Sequence, residues 1–525
     1  MKRFEGFSVK GKPFFPLGAQ AHNSSSYSRG MFGESIKAAL ALNCNTVEAP
    51  IYWEKIESAE GVFDFSSVDY LVEMCRKSKL ALVLLWFASW KNGDLSYAPE
   101  WVKRDQSRFQ RVLRSDVLPV ADLSSHYSAN READERAFTA VLAHLKEIDG
   151  AEQTVIAVQV ENEPGFMRTD QDYSPKARED LKAPVPEKLL TYLESHTEAP
   201  AYRDWKKHGL KKNAAWADAF GFRGYEYCEA WHLARYIDAI AAAGKAVYDI
   251  PLYINVWLND GTPWGLPGIE YPGGGAVARA LHVWLAAVEH IDMIAPDNYM
   301  QNSYSYEKAA GFYCTEENAL FTPESSPNAT GASNMFYAIA RGAVGNAIFG
   351  SESCLDNGGN VREPALPLRD SNYAVQQALP LIIKHRNTGK MYPVIRHDSQ
   401  TDAAYEFEEF LGNVHFTGDG AFTDYSTLRE TLTPEQKTPR GLIIEDEPKT
   451  FYLLGRFSLR LVPKKSPDVS FAGGYVPSPD FVSVEEGHFN DRGLFVTDRI
   501  RNGDEAFAAG FWVSCGCGVV RVVLV

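Results

Sequence analysis

Val155-Ile156-Ala157-Val158-Gln159-Val160-Glu161-Asn162-Glu163-Pro164-Gly165 is an apolar run that ends abruptly in an amide and two carboxylates. A short stretch rich in β-branched residues and closed by a Pro-Gly pair reads as a buried strand. Pro164 cannot donate a ladder hydrogen bond and biases Glu163 toward an extended conformation, so the strand ends with Glu163 at its mouth.

Similar apolar runs flank it at Phe14 to Leu17, Thr46 to Ala49, Ala81 to Leu85, Leu252 to Val256, Met293 to Ala295, Leu320 to Phe321 and Ala347 to Phe349, which makes eight. Stretches of helical period separate them: Glu34 to Leu42, Ser67 to Ser78, Glu132 to Ile148, Tyr225 to Ala243, Ala276 to His290 and Met335 to Val344, with Ser371 to Arg386 closing the series. Strands alternating with helices predict parallel pairing, and eight such units predict a closed (β/α)8 TIM barrel. No Gly-x-Gly-x-x-Gly follows the first strand to suggest a dinucleotide fold. The predicted division is a catalytic barrel over residues 1–390 and an all-β, sandwich-like domain over 391–525. The second domain is read from Gly441 to Ile444, Thr450 to Leu454, Phe457 to Val462, Phe511 to Val513 and Val519 to Val525. Residues 166–224 form an unusually long, charged connection, read either as a rim or lid or as a solvated excursion.

The 525 residues carry a formal charge of -15, with 45% hydrophobic and 23% charged residues. That composition suits a globular protein with a large core, and the charge disfavours nucleic acid and anionic membrane surfaces as partners. A neutral sugar is compatible with it. The seven cysteines lack the paired spacing of a disulfide framework or zinc site, so no metal is assigned and Cys515-Gly516-Cys517 is read as structural. Without an apolar leader after Met1-Lys2-Arg3, or a run of about 18 apolar residues, the expected location is cytoplasmic.

Barrel enzymes place their chemistry at the carboxyl ends of the strands. Strand four delivers Glu163 there, and Ala319-Leu320-Phe321-Thr322-Pro323-Glu324 delivers Glu324 from strand seven, roughly across the barrel. Two carboxyls about 5 to 5.5 Å apart suit retaining glycoside hydrolysis, one attacking the anomeric carbon and one protonating the leaving oxygen. Like-charge repulsion keeps one of them protonated in the free enzyme. Asn162 is placed to hold the sugar 2-OH. His22, Asn23, Trp90, Lys91, Gln159, Asn298 and Tyr299 also fall at strand ends as candidate substrate contacts, with Trp257, Trp264 and the segment Pro263 to Gly275 as a further wall. Glu352 is the rival nucleophile or a substrate contact, and Glu48 either an acceptor or an ion-pair partner.

The run Gln159-Val160-Glu161-Asn162-Glu163-Pro164-Gly165 resembles the acid/base motif of glycoside hydrolase family 35, the clan A β-galactosidases. The resemblance continues in Leu17-Gly18-Ala19-Gln20-Ala21-His22-Asn23, in Trp53-Glu54-Lys55-Ile56-Glu57 through Phe65, and in Leu84-Leu85-Trp86-Phe87-Ala88-Ser89-Trp90-Lys91-Asn92-Gly93. The β-rich tail is similar to the carboxyl-terminal domain of a bacterial branch of that family. The resemblance implies Glu163 as acid/base and Glu324, in its Pro-Glu pair, as nucleophile. Family 35 enzymes carry Ala-Glu-Trp after strand three, the Glu binding galactose, where this chain reads Ala88-Ser89-Trp90.

The expected activity is that of a retaining exo-β-glycosidase, β-galactosidase-like, cleaving oligosaccharides or small glycosides without a cofactor. Another glycone (glucose, arabinose, fucose or glucosamine), transglycosylation, and a non-catalytic carbohydrate-binding barrel are the alternatives, and homo-oligomerisation is left open.

Overall fold

The computed structural model describes residues 3–259, 265–397, 399–416, 432–465, 479–501, 503, 506 and 510–525. Trp264 lies outside the described residues. Eight parallel strands form one sheet: β1 (Leu17–Gln20), β2 (Thr46–Tyr52), β3 (Ala81–Lys91), β4 (Val155–Asn162), β5 (Leu252–Trp257), β6 (Met293–Asp297), β7 (Phe321–Thr322) and β8 (Gly345–Phe349). Their order is β6-β5-β4-β3-β2-β1-β8-β7. All eight expected strands are present, but the first begins later than read. Lys12–Phe14 pairs instead with Phe7–Val9 in an antiparallel hairpin whose turn, Lys10-Gly11, takes positive φ at both positions, which matches the right-handed twist of the strands.

The sheet closes without a ladder between β6 and β7. Asn318 substitutes for one: its Oδ1 accepts from Ile294 N at 2.9 Å, and its Nδ2 donates to the carbonyls of Ile294 (2.9 Å) and Tyr313 (2.6 Å). Further up the seam Asn298 N donates to the carbonyl of Glu324 at 2.9 Å. A strand of only two residues is thus held against β6 by a buried amide, which also satisfies backbone groups that would otherwise be orphaned.

Helices α1 (Arg29–Ala41), α2 (Ser66–Lys77), α3 (Ser128–Asp149), α4 (Gly224–Val247), α5 (Leu281–Ala287), α6 (Ser303–Tyr313), α7 (Ala329–Ala340) and α8 (Leu366–His385) follow the strands. α5 is shorter than its apolar period predicts, because Asp238 Oδ1 of α4 takes the N–H groups of Glu289 and His290, both at 2.7 Å. α7 starts earlier than predicted, where the Asn328 side chain caps Gly331 N at 3.0 Å, and stops before Gly342, whose φ is +86°.

The connection 166–224 folds into four short helices, Pro175–Lys182, Glu187–Ser195, Pro200–Lys207 and Trp216–Phe220. They bury Leu189, Leu193, Trp205, Trp216 and Phe220, so the excursion has packed apolar contacts of its own. Its first helix is anchored by His126, whose ring lies between Asp180 Oδ2 (2.8 Å) and Glu229 Oε2 (3.0 Å), with the Lys176 ammonium on the other Asp180 oxygen at 2.8 Å. Burial opposes charging this imidazole, but Glu229 and Asp180 outweigh it and hold its pKa up at about 10. His232 completes a group of three with ligand-type atoms within 4.8 Å, yet both His126 nitrogens already face carboxylates.

The β-rich part contains β9 (Met391–Val394), β10 (Asp402–Glu406), β11 (Phe410–His415), β12 (Arg440–Glu447), β13 (Thr450–Pro463), β14 (Phe481–Phe489), β15 (Phe495–Ile500), β16 (Phe511–Val513) and β17 (Val519–Leu524), all antiparallel. The two runs expected at 450–454 and 457–462 are one strand. Its first half pairs with β12 and β17, and its second half with β11 and β16, so β13 belongs to both layers. The crossover falls at Gly455, φ +109°, where a Cβ would come within 2.4 Å of the Arg440 carbonyl. One apolar cluster lies between the layers, and a second joins Leu442, Ile444 and Leu454 to Phe336 and Ile339 of α7 and Val375 of α8.

Candidate active site

β3 and β4 keep register from Val83–Ala157 to Trp86–Val160, and the next matched pair is Lys91–Asn162, so residues 87 to 90 bulge opposite Glu161 alone. Glu161 closes the bulge: its Oε1 accepts from Ser89 N at 3.3 Å and its Oε2 from Trp90 N at 2.7 Å. Glu161 takes φ +63° and Glu163 φ +44°, so Glu163 is left-handed and not extended as its proline neighbour suggested. Such conformations cost on the order of 1–3 kcal/mol for non-glycine residues and persist where surrounding bonds dictate them. Here the Glu163 N–H is fixed by Asn255 Oδ1 at 2.8 Å.

The bulge decides what faces the barrel mouth. Ser89 turns outward, its hydroxyl donating to Asp134 Oδ2 at 2.5 Å and lying 3.0 Å from the Tyr236 hydroxyl. Trp90, expected as a sugar platform, is 1% exposed and packs edge-on against Tyr236. Lys91 and Asn92 emerge instead, the Lys91 ammonium on Asn92 Oδ1 and Asn92 Nδ2 donating to Glu163 Oε2 at 2.8 Å.

A cavity of about 360 Å³ opens at the carboxyl ends of the strands. Its polar wall is Asn23, Lys91, Asn92, Glu163, Asp297, Tyr299 and Glu324, and its apolar wall Trp257, Leu258, Met300 and Phe349. Five candidate contacts or catalytic residues therefore meet here, Asn23, Lys91, Glu163, Tyr299 and Glu324, together with Trp257. Glu324 Oε1 accepts from Gln20 Nε2 at 2.8 Å and Oε2 from the Tyr299 hydroxyl at 2.6 Å. The Glu163 carboxyl is pushed up to about 7 by burial and by the charge of Glu324, with Lys91 pulling back.

Other candidates do not line the cavity. Gln159 is fully buried and donates to the Glu161 carbonyl at 2.8 Å. Asn298 turns its amide to the Tyr306 carbonyl at 3.2 Å. His22 Nε2 pairs with Ser353 Oγ at 2.7 Å, and Glu352 is occupied by His22 N and by Ser35 Oγ at 2.5 Å, a structural tie between β1, α1 and the turn after β8. Glu48 is neither acceptor nor ion-pair partner: it is wholly buried, neither oxygen meets a donor, and burial and then Glu324 raise its pKa well above the carboxylate range. Asn162 is also fully buried, with no partner for either amide atom.

Asp297 is the residue that sequence reading missed. It ends β6 in Ala295-Pro296-Asp297, the same proline-carboxylate pair at a strand end as Pro323-Glu324 on the neighbouring strand. Applied uniformly, that signature finds it.

A (β/α)8 sheet with three carboxyls and an ammonium around a cavity at its carboxyl face defines a barrel with a candidate acid/base site. Residues 6–234 match the family described as "Glycosyl hydrolases family 35". Residues 370–509 match a "Domain of unknown function (DUF5597)". A sequence comparison with curated proteins finds no match. Similar solved structures include the β-galactosidase from Rahnella sp. R3 (14% identity, TM-score 0.47, 73% of this chain and 58% of that one). Others are the β-amylase catalytic domain from Paenibacillus polymyxa (13%, 0.47, 67% and 95%) and an exo-β-1,4-mannosidase from an Opitutaceae bacterium (13%, 0.42, 71% and 62%). The chain thus spans less than two thirds of the length of the Rahnella protein. Among the described residues no helix is long and apolar enough to cross a membrane.

Proposed function

We propose that the chain is a retaining exo-β-glycosidase of β-galactosidase type, releasing terminal β-linked sugars from oligosaccharides. The observation that carries this reading is the unequal setting of two carboxyls on one cavity. Glu324 accepts from both Gln20 and Tyr299, as an attacking carboxylate requires, whereas Glu163 is held near 7 and can carry a proton. Glu324 attacks the anomeric carbon as Glu163 protonates the leaving oxygen. Glu163, now ionised, then takes a proton from the water that releases the sugar. Trp257 and Phe349 offer the apolar face a pyranose ring stacks on, and Asn23, Lys91 and Asn92 its hydroxyl partners. The 2-OH falls to these same side chains, because Asn162 is fully buried and does not line the cavity. Residues 1–390 are assigned to the catalytic unit, 391–525 to its β-rich companion, and no cofactor enters the scheme.

The test is turnover of a panel of aryl β-glycosides by the wild-type chain and by Glu324→Gly. The variant should be inactive, and azide should restore a glycosyl azide of inverted configuration. Retained hydrolysis in Glu324→Gly rejects the nucleophile, and a panel with no substrate rejects the activity.

A further inference from the structure

Asn255 sits between the proposed acid and Asp297, and its orientation is not free. Its Oδ1 accepts from the backbone N–H of Glu163 at 2.8 Å, which can only be a donor, so its Nδ2 must face Asp297 Oδ2, at 2.7 Å. Asp297 Oδ2 is therefore an acceptor. Asp297 Oδ1 is buried and meets no hydrogen-bond donor, and the Asp297 side chain lines the same cavity as Glu163. The side chain is 4% exposed.

The charged and titratable groups facing Asp297 are Glu163, Glu324, Lys91, Tyr299, Tyr253 and Tyr313. One ammonium serves three carboxyls, and that ammonium hydrogen-bonds to Asn92. A buried carboxylate needs several donors or a direct cation, and Asp297 has one neutral amide.

Resting on the glycosidase reading, we infer that Asp297 is a neutral carboxylic acid whose Oδ1–H donates to Glu163, making it a positioning residue for the proposed acid/base. Burial, followed by the charges of Glu324 and Glu163, raises its pKa well above the carboxylate range, in accord with the geometry. The proton stays on Asp297 throughout. When Glu163 gives its own proton to the leaving oxygen, the Asp297 hydroxyl stabilises the carboxylate left behind, and that carboxylate then accepts the proton of the attacking water. Asp297 keeps Glu163 from becoming too weak an acid in its buried setting.

The sign of a pH shift separates this state from an ionised Asp297. Removing a neutral donor raises the Glu163 pKa, so Asp297→Ala should move the alkaline limb of kcat/KM upward by about one to two pH units. Asp297→Asn retains a donor and should keep the limb close to wild type. An ionised Asp297 predicts the opposite, both variants moving the limb downward. That result, or an unmoved limb in a folded Asp297→Ala, overturns the inference. An infrared difference spectrum of full-length wild type minus Asp297→Asn at pH 7 reads the same proton without turnover. A protonated-carboxyl C=O band in the wild type supports the inference, and carboxylate bands in its place overturn it. A chain that cleaves no glycoside but shows the protonated band would reject the glycosidase reading and leave the proton on Asp297.

Discussion

The Tyr299 hydroxyl donates to Oε2 of Glu324 at 2.6 Å, from a residue only two positions beyond the end of β6. The bond crosses the seam where the barrel lacks a ladder, so it both orients the carboxylate and ties β7 to its neighbour. A hydrogen bond to a charged group contributes about 1.5–3 kcal/mol. Tyr299→Phe should therefore lower kcat for an aryl β-glycoside by about 10- to 100-fold with a smaller change in KM. Unchanged kcat would remove Tyr299 from the site.

Glu163 must be protonated to act as an acid, and burial together with Glu324 holds its pKa at about 7. kcat/KM should fall as pH rises through about 7, most clearly for substrates with poor leaving groups. In Glu163→Gln this limb should be lost, and the remaining activity confined to activated aryl glycosides. A pH–rate profile of wild type and variant checks both statements.

The resemblance to family 35 sets Ser89 against a galactose-binding glutamate of those enzymes, yet its side chain points at Asp134 and Tyr236. Restoring the glutamate should therefore fail to raise kcat/KM for a β-galactoside. Ser89→Glu would instead add a third carboxyl beside Asp134 and Glu161, both buried with raised pKa values, at a cost of several kcal/mol. The expected readout is a lower melting temperature. A stable variant with improved galactoside turnover would reverse this assignment of the bulge.

His126 has its pKa raised to about 10 in the folded chain against about 6.5 unfolded. Its contribution to stability is complete below about pH 6.5 and is lost as pH rises through about 10. His126→Ala leaves Glu229 buried without its cation and should destabilise the chain by about 3–5 kcal/mol, measured by denaturant unfolding. The difference between wild type and variant should shrink toward pH 10.

The eight barrel strands were legible because each is a compact apolar run, and the ends of β4 and β7 were legible to within one or two residues because proline punctuates a carboxylate there. The bulge in β3 was not, since it exists only relative to β4. It reversed the expectation for Trp90 and moved Lys91 and Asn92 to the mouth. Asn298 and Glu352 read as strand-end ligands, but their partners, Tyr306, Ser35 and His22, are distant in sequence or set by backbone geometry. Gly455 looked like a break between two strands, although a residue without a Cβ can also be where one strand passes from one layer to the other. Asp297 carried a readable signal, and only Asn255 explains its state.

The Asn318 seam gives the barrel an uneven tolerance to change. Backbone ladders along β1 to β6 survive most side-chain replacements, because every residue but proline brings the same N–H and C=O. Across the seam both bonds to the Ile294 backbone belong to one amide, so a single codon change at Asn318 would remove them together, while the contacts of Asn298 and Tyr299 with Glu324 stay. The placement of Glu324 is thus heritable at a position that never touches a sugar, and a survey of natural variation confined to the cavity would overlook it.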